Sequence, residues 1–379
     1  MQETNREAIS GASAPLFQRV QRLLLSTIAG RNRRGTAAAA AAVLALSAVT
    51  ACSPQPARPT SSPCIPATQA GDIIPDPRAK VDPYQLAFSP DGTRVAAGCP
   101  DATCVWDTST GVVSMRLADG SYPSWSPDGT QLSVGMANGE IATFDAHSGA
   151  ELHRMVGHQA RTETTDTIRT VTGLTYSPDG EVLVSTGTDC TIRTWNTSDG
   201  TAKDTIAINT GQVSAIAVDP TGEHVAVAST DQDASLWSLK SLGLLRSLTD
   251  APPDANGVAF DPAGQFLAIG AGEPINTARI YDVDSGKVTA TAPTTGEVSA
   301  VAFSPDGATL AYARPRERDV VLWNVDGSQT KHLAGLDNGV YALAFNSDGS
   351  VLYTASSYDG IISWNTADGT VRTRFELPH

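Results

Sequence analysis

Short apolar segments and polar turns alternate along most of this chain with a period near 42 residues. Seven times, an apolar strand runs into a turn that ends in glycine, and an aromatic-polar pair follows about fifteen residues later. The turn glycines are Gly92, Gly129, Gly180, Gly222, Gly264, Gly307 and Gly349, with spacings of 37, 51, 42, 42, 43 and 42 residues. A fixed period of this length indicates repeated units that bury their apolar faces against their neighbours.

The sixth repeat shows what one unit contains. Two alternating apolar segments flank the turn Ser304-Pro305-Asp306-Gly307, in which proline presets φ and glycine closes the reversal. A third strand is predicted over residues 320–323 and a weaker fourth strand over residues 329–333, with a turn between them. Four antiparallel strands joined by hairpins make one small twisted sheet, or blade.

The same order recurs in every repeat. The third strands end in Trp106-Asp107, Phe144-Asp145, Trp195-Asn196, Trp237-Ser238, Tyr281-Asp282, Trp323-Asn324 and Trp364-Asn365. Seven such blades suit radial closure around a channel, which leaves only short, protected strand edges. The sequence therefore predicts an all-β fold, a seven-bladed β-propeller of four-stranded antiparallel blades over residues 81–379, with the last blade ending in its own fourth strand over residues 370–376.

These turns and Trp-Asp or Trp-Asn endings resemble WD40 repeats. The resemblance covers roughly residues 81–379 and implies a rigid propeller that serves as a platform for protein partners. The repeats are also similar to those of periplasmic propellers of the TolB type, which share the Ser-Pro-Asp-Gly turn, and residues 122–127 favour that alternative. Both resemblances imply the same architecture.

The WD40 resemblance implies a structural His–Ser–Asp–Trp tetrad in suitable blades. Here the family's Gly-His dipeptide occurs once, as Gly157-His158, and the tetrad has candidates in the third blade alone: His158, Ser185, Asp189 and Trp195. The stretch from Gln159 to Thr170 departs from the family pattern, because it separates His158 from the next strand by too many residues. We expect apolar packing and backbone ladders alone to hold the other blades.

The residues before the repeats indicate export. Arg31, Arg33 and Arg34 precede an apolar run over residues 37–46 that continues in small residues to Ala51, which is typical of a secretory signal. The sequence Val49-Thr50-Ala51-Cys52 resembles a bacterial lipobox, here of actinobacterial type, which implies acylation of Cys52. The alternative is an ordinary cysteine behind a general signal peptide.

We therefore predict three segments. A leader occupies residues 1–51, a spacer rich in Pro, Ser and Thr occupies residues 52–80, and the propeller follows. The protein is expected to be exported and held at the outer surface of the cell membrane by lipid on Cys52. The spacer segment near Ile73-Ile74 offers an alternative edge strand that would latch the ring.

The remaining cysteines suit an oxidising compartment. Cys99 and Cys104 flank a turn between two strands of the first blade, so their facing positions suit a disulfide. Cys64 and Cys190 remain as a second candidate pair by count, but nothing in the sequence places them close together. No histidine has zinc-ligand spacing near these thiols, so we expect no metal site.

Charge argues against several partners. The chain has 26 basic and 40 acidic residues; without residues 1–51, which hold six arginines and two glutamates, 20 basic and 38 acidic residues remain, a net charge of −18. Phosphate backbones are bound by basic residues, so nucleic-acid binding is disfavoured. Contact with the membrane is expected through the lipid alone. We expect a monomer.

Function is expected on one face of the ring. The Pro-Asp-Gly turns and the turns after each third strand share a uniform first face, and the blade connections and the turns between second and third strands form an irregular second face. Binding residues concentrate on variable loops of rigid scaffolds. The candidate interaction residues on the second face are Arg314, Arg316, Arg318, Glu273, His158, Arg161 and Arg169.

The leading hypothesis is a non-catalytic protein-interaction platform that docks another protein of the cell envelope. The alternative is an enzyme or solute binder with a pocket at the mouth of the central channel. We find no nucleophile-and-base motif, metal-ligand spacing or glycine-rich phosphate cradle in the sequence, and so predict no catalytic residues and no cofactor.

Overall fold

The computed structural model describes residues 82–99, 102–117, 120–159, 170–208, 213–229, 234–248, 251, 254–294 and 296–375. The expected leader, Cys52, Cys64, the spacer and the segment Ile73-Ile74 lie outside these residues. Within them, no helix has the length and apolar character that crossing a membrane requires.

The described residues form 28 strands. The first four blades contain, in order, β1 (Asp82–Phe88), β2 (Arg94–Cys99), β3 (Ala102–Asp107), β4 (Val113–Leu117); β5 (Ser121–Trp125), β6 (Gln131–Gly135), β7 (Glu140–Asp145), β8 (Glu151–Val156); β9 (Val171–Tyr176), β10 (Val182–Gly187), β11 (Thr191–Asn196), β12 (Ala202–Ala207); β13 (Val213–Val218), β14 (His224–Ser229), β15 (Ser235–Ser238), β16 (Leu244–Ser247). The last three contain β17 (Ala255–Phe260), β18 (Phe266–Ala271), β19 (Thr277–Asp282), β20 (Val288–Thr291); β21 (Ala300–Phe303), β22 (Thr309–Arg314), β23 (Asp319–Asn324), β24 (Thr330–Leu333); β25 (Ala342–Phe345), β26 (Val351–Ser356), β27 (Gly360–Asn365), β28 (Val371–Arg374).

Each blade is one sheet of four consecutive strands, and there are seven such sheets. All pairings are antiparallel, so hairpins connect the strands within a blade. The predicted seven-bladed all-β propeller is confirmed. The seventh blade is built from contiguous sequence, with β28 as its fourth strand.

The first residue of every Pro-Asp-Gly-type turn anchors the hairpin through an acceptor oxygen. Ser89 Oγ accepts a hydrogen bond from the amide of Arg94, five residues later, at 2.9 Å. Asp219 Oδ1 and Asn346 Oδ1 accept the equivalent amides of His224 and Val351, also at 2.9 Å. Serine, aspartate and asparagine can therefore replace one another at this position, because each side chain supplies an acceptor oxygen at the same place.

Apolar cores lie between neighbouring blades, as a repeat ring requires. The cluster that joins the last blade to the first contains Val95 and Trp106 from blade 1 and Tyr353, Ile361 and Phe375 from the end of the chain. Trp106 is fully buried in this cluster. The ring is therefore closed by the same kind of interface that separates its other blades.

The first face is held together turn by turn. Thr108 Oγ1, after the third strand of blade 1, donates a 2.7 Å hydrogen bond to the carbonyl of Gly92 in the Pro-Asp-Gly-type turn. Thr197 and Thr366 make the equivalent bonds to Gly180 and Gly349. In these three blades, the bonds join the two turns of one blade on the first face.

Candidate functional site

Irregular segments of blades 5 and 6 meet on the second face through charged side chains. Arg316, between β22 and β23, lies 2.7 Å from Glu273 Oε1 in the β18–β19 loop and 3.1 Å from Glu297 Oε2 in the connection between the blades. The hydrogen bond with Glu273, followed by the charges of Glu273 and Glu297, raises the pKa of Arg316. The Arg316 side chain remains 67% exposed, so it is oriented by neighbours while facing solvent.

The same surface continues onto blade 7 through backbone contacts. A methyl carbon placed on Gly339, in the connection after β24, would lie 2.8 Å from Pro315 Cβ, so the two segments touch. The amide of Asn338 donates to Asp359 Oδ2 at 3.0 Å, which ties this connection to the β26–β27 turn. The second face of blades 5–7 is therefore one continuous surface.

Large apolar side chains are exposed on this surface. Tyr341 is 37% exposed, Tyr358 40% and Ile275 42%. Burial raises the pKa of Tyr341, and the nearby charge of Glu297 raises it further. We call Ile275, Arg316, Arg318, Tyr341 and Tyr358 the second-face patch. Sequence reasoning missed its three apolar members, although an aromatic residue in a turn, such as Tyr358, was a usable signal.

The three predicted arginines do not form one unit. Arg318 is exposed, with a positive φ of 56°. Arg314 instead donates from Nε to Asp319 Oδ1 at 2.8 Å, and its side chain is only 16% exposed. Burial alone would raise the pKa of the Asp319 carboxyl. The hydrogen bonds from Arg314 and His332 have the larger combined effect, so the pKa lies below its usual value. The Arg314 guanidinium is thus engaged by the Asp319 carboxylate, and its role in an interaction stays a prediction.

His158 is also not an exposed interaction residue, because its side chain is fully buried. Its Nδ1 lies 2.9 Å from Asp189 Oδ1 and its Nε2 lies 2.7 Å from Ser185 Oγ, and Trp195 Nε1 donates to the same Oγ at 2.9 Å. The four tetrad candidates thus form one hydrogen-bonded chain. The predicted interaction residues Arg161 and Arg169 lie outside the described residues.

The length of the third-blade connection does not prevent this arrangement. The amide of Gln159 donates to Asp189 Oδ2 at 3.2 Å, which fixes the backbone beside His158 before the long stretch begins. A methyl carbon on Gly157 would lie 2.6 Å from Trp195 Cη2, so the dipeptide needs glycine for the tryptophan to approach. Thr170, where the described chain resumes, donates to the carbonyl of Ala137.

Ser185, His158 and Asp189 have the order of a catalytic triad, in which a carboxylate orients a histidine that activates a serine. A nucleophile must, however, reach a substrate. Ser185 is 0% exposed, and its Oγ also accepts the hydrogen bond from Trp195. The arrangement therefore stabilises the third blade and has no access to a reacting group.

A shortened version of the network occurs in blade 7. Thr354 occupies the position of Ser185 and accepts a hydrogen bond from Trp364 Nε1 at 3.0 Å. In blade 2, Ser133 Oγ lies 2.7 Å from both Thr143 Oγ1 and Tyr176 OH, within a fully buried cluster. The expectation that blades other than the third are held by apolar packing and backbone ladders alone was wrong, because buried hydroxyls also pair between strands and blades.

The described cysteines are all oxidised. Cys99 and Cys104 form a disulfide with a Cα–Cα distance of 5.8 Å. In the β2–β3 hairpin Cys99 pairs with Ala102 and Cys104 with Ala97, so the two cysteines are diagonal neighbours and do not occupy the expected facing positions. Cys190 is also disulfide-bonded. Among the described residues, no group of three His, Cys, Asp or Glu side chains has a metal-binding arrangement.

Two clefts lie on the first face, between turns of neighbouring blades. One, of about 240 Å³, is bordered by Asp306, Lys331 and Asp348 between blades 6 and 7. The other, of about 410 Å³, is bordered by Asp219, Glu223 and Asp284, among others, between blades 4 and 5. Neither cleft lies at the second face that carries the patch.

The repeats match a known family. The family model described as "WD domain, G-beta repeat" matches residues 78–107, 149–196, 200–238 and 327–364. These stretches make up about two fifths of the chain, and there the chain is similar to WD40 repeats. The matched stretches fall in blades 1 to 4, 6 and 7, and they include all four tetrad residues, His158, Ser185, Asp189 and Trp195.

Curated relatives share parts of this repeat pattern. The WD repeat-containing protein slp1 of Schizosaccharomyces pombe is 27% identical over 150 residues, 30% of this chain and 31% of slp1. The WD repeat-containing protein VIP3 of Arabidopsis thaliana is 30% identical over 122 residues, 27% of this chain and 35% of VIP3. An uncharacterized WD repeat-containing protein of Synechocystis, sll1491, is 29% identical over 137 residues, 35% of this chain and 36% of sll1491. The chain spans about a third of the length of these relatives.

Among solved structures, a chain of the mitotic checkpoint complex crystal structure has the same fold. The TM-score is 0.67 at 24% sequence identity, and the match covers 76% of this chain and 89% of that one. At this identity the likeness supports the propeller architecture alone.

Proposed function

We propose that this protein is an exported, lipid-anchored propeller that binds another protein of the cell envelope through the second-face patch, without catalysing a reaction. The observation that carries the proposal is the exposure of two tyrosines, an isoleucine and two arginines on one continuous surface. Tyrosine and arginine are enriched among the residues that contribute most to binding energy at protein interfaces.

The patch is suited to binding because one of its two arginines is already held in place. Arg316 is held between Glu273 and Glu297 while two-thirds of its side chain faces solvent. A side chain that is fixed before association loses less conformational entropy when a partner binds. The short, hydrogen-bonded blades beneath it give the patch a rigid base.

A protein partner is consistent with the relatives. Proteins with WD40 repeats serve as interaction scaffolds, and the structural neighbour is part of an assembly, the mitotic checkpoint complex. The anchor rests on the basic-apolar leader and the lipobox-like Val49-Thr50-Ala51-Cys52. Two acyl chains on Cys52 would give stable membrane attachment, which one chain does not.

The test is capture of partners from membranes by the full-length exported protein. Membranes are crosslinked and the proteins joined to the propeller are identified by mass spectrometry. The variant Arg316→Glu/Arg318→Glu/Tyr358→Ser changes the patch. We expect this variant to capture at least tenfold less of the partner than the wild type does, while its melting temperature stays close to that of the wild type.

The matched control is Lys240→Glu/Lys287→Glu, which reverses two exposed charges at the first face. We expect this control to capture the partner normally. Equal capture by the patch variant and the wild type would contradict the proposed binding surface. Failure of Cys52→Ala to release the protein from membranes would contradict the proposed anchor.

A further inference from the structure

The loops that carry the second-face patch have an excess of negative charge. These loops are the connections before β17, β21 and β25 and the turns β18–β19, β22–β23 and β26–β27. Besides the two arginines of the patch, their described residues include six carboxylates, which leaves a net charge of −4. The carboxylates are Asp254, Glu273, Glu297, Glu317, Asp337 and Asp359. The patch therefore presents its apolar side chains in a negative field.

Three of these carboxylates lie at or beside Arg316. Glu273 Oε1 and Glu297 Oε2 pair with its guanidinium. The carboxylate of Glu317 lies against Gly296, the residue before Glu297, because a methyl carbon on Gly296 would overlap it. One guanidinium balances one of the three negative charges, so these four side chains keep a net charge of −2.

Two exposed carboxylates of this surface lack a cation. Among the described residues, neither Glu317 nor Asp337 forms an ion pair with a lysine, arginine or histidine. Asp337 lies in the connection before β25, which touches Pro315 through Gly339. Because like charges on one surface repel each other, a cation supplied by a binding partner stabilises them.

An aromatic ring lies beside the carboxylates. The amide of Tyr341 donates to the carbonyl of Ala355 at 3.0 Å, which fixes its backbone at the start of blade 7. The negative charge of Glu297 acts on its hydroxyl and contributes to its raised pKa. The Tyr341 side chain is partly exposed, and the face of a tyrosine ring attracts lysine and arginine cations.

We infer that the protein partner presents lysine or arginine side chains to the second-face patch, with cations at Glu317 and Asp337 and beside the ring of Tyr341. This inference rests on the proposed function, because the patch must be the binding surface. Arg316 then has a positioning role, since it holds Glu273 and Glu297 in place. Acidic protein segments and anionic lipid headgroups are repelled by the same charges.

The experiment uses a dye-labelled tetralysine peptide and a tetraglutamate peptide with the same dye. Binding to the full-length protein in detergent is measured by fluorescence anisotropy at low ionic strength, where charges are least screened. We expect tetralysine to bind, and Glu317→Gln/Asp337→Asn to weaken that binding about fivefold because two negative charges are removed. Tyr341→Leu should weaken it about threefold, because the ring face is lost.

The matched control is Asp326→Asn/Asp368→Asn, which removes two exposed carboxylates in turns of the first face. Both double variants change the net charge equally, so attraction to the negatively charged protein as a whole affects them alike. We expect the control to bind tetralysine within about twofold of the wild type. Equal affinities of the two double variants, or tetraglutamate binding as tight as that of tetralysine, would overturn the inference.

Capture from membranes separates this inference from the proposed function. We expect Glu317→Gln/Asp337→Asn to lose the partner, as the patch variant Arg316→Glu/Arg318→Glu/Tyr358→Ser does. If the patch variant loses the partner and Glu317→Gln/Asp337→Asn retains it, the patch remains the binding surface and a cationic partner is contradicted. If the patch variant captures the partner as the wild type does, the proposed function fails and the inference with it.

Discussion

Single buried polar residues in this protein have specific partners, and the tetrad of blade 3 is the clearest case. His158 contacts a carboxylate through one ring nitrogen and a hydroxyl through the other, and the same hydroxyl receives the indole N–H. Each polar side-chain atom of this chain therefore has a partner: Nδ1 of His158 pairs with Asp189 and Nε2 with Ser185. Removing one member would leave another buried and unpaired, which is costly.

The tetrad makes stability depend on pH. Burial raises the pKa of Asp189, but the hydrogen bond and charge of His158, together with Thr191 and the Gln159 amide, lower it from 3.8 to about 2. Because the pKa of Asp189 is lower in the folded state than in the unfolded state, the ionised carboxylate stabilises the fold at pH values above the unfolded-state pKa. That contribution is lost as the pH falls from about 4 to about 2.

We expect Asp189→Asn to lower the free energy of unfolding by about 1–3 kcal/mol at pH 7, because charge-assisted bonds are lost. The difference from the wild type should shrink below pH 4, where the wild-type carboxylate itself becomes protonated. Urea unfolding at pH 7, 5 and 3 measures this. Asp204→Asn, at an exposed carboxylate, should change stability by less than about 0.5 kcal/mol. An equal loss for Asp189→Asn at pH 7 and pH 3 would refute the role of its charge.

Sequence reasoning found some of these residues and not others, for physical reasons. The tetrad candidates were identifiable because His158, Ser185, Asp189 and Trp195 fit the residue types and order that the resemblance to WD40 repeats implies. The different surroundings of the three arginines were not predictable, because the residues look equivalent until strand pairing sets Arg314 opposite Asp319. The apolar members of the patch were missed because exposure depends on which loops cover them, and that is decided by several blades together.

At the scale of strands and turns, the Pro-Asp-Gly pattern has two roles. Within a blade it closes the hairpin, which the sequence predicts from local turn chemistry. Between blades it forms contacts that the sequence does not reveal. A methyl carbon on Gly129 would lie 3.3 Å from the proline ring of Pro90 in the preceding blade, and Gly349 has the same relation to Pro305 at 3.2 Å. The equivalent contact recurs from turn to turn, at 3.4–3.5 Å for Gly180, Gly222, Gly264 and Gly307.

The contact that closes this series lacks its proline. Gly92 of blade 1 faces Ser347 of blade 7, and a methyl carbon on Gly92 would lie 3.9 Å from Ser347 Oγ. Six turns have proline at this position and the seventh has serine. The turn backbone therefore accepts proline, and the joint between the first and last blades is the exception.

We expect Ser347→Pro to raise the free energy of unfolding by about 0.4–1 kcal/mol, because proline restricts the unfolded chain at a position whose backbone already suits it. Thermal unfolding of the purified protein measures the change. The matched reverse variant, Pro305→Ser, should lower stability by a similar amount. A destabilised Ser347→Pro protein would show that the seventh turn differs from the other six.

At the scale of the whole molecule, closure of the ring joins residues far apart in the sequence. Phe88 in the first strand and Tyr353 in the last blade have ring centroids 4.6 Å apart, and Tyr353 also meets Phe375 at 5.9 Å. The sequence predicted seven blades from the period alone, because each repeat has apolar faces that must be covered. It could not decide which strand completes the last blade, because β28 and the segment near Ile73-Ile74 were both available.

Coupling between Phe88 and Tyr353 tests closure most directly. A double-mutant cycle compares Phe88→Leu, Tyr353→Leu and the double variant by urea unfolding. In a closed ring the two rings touch, so we predict a coupling free energy of about 0.5–1.5 kcal/mol. The control cycle pairs Phe88→Leu with Tyr281→Leu in blade 5, which should be additive within about 0.5 kcal/mol. Additivity of Phe88→Leu and Tyr353→Leu would contradict a ring in which the seventh blade packs on the first.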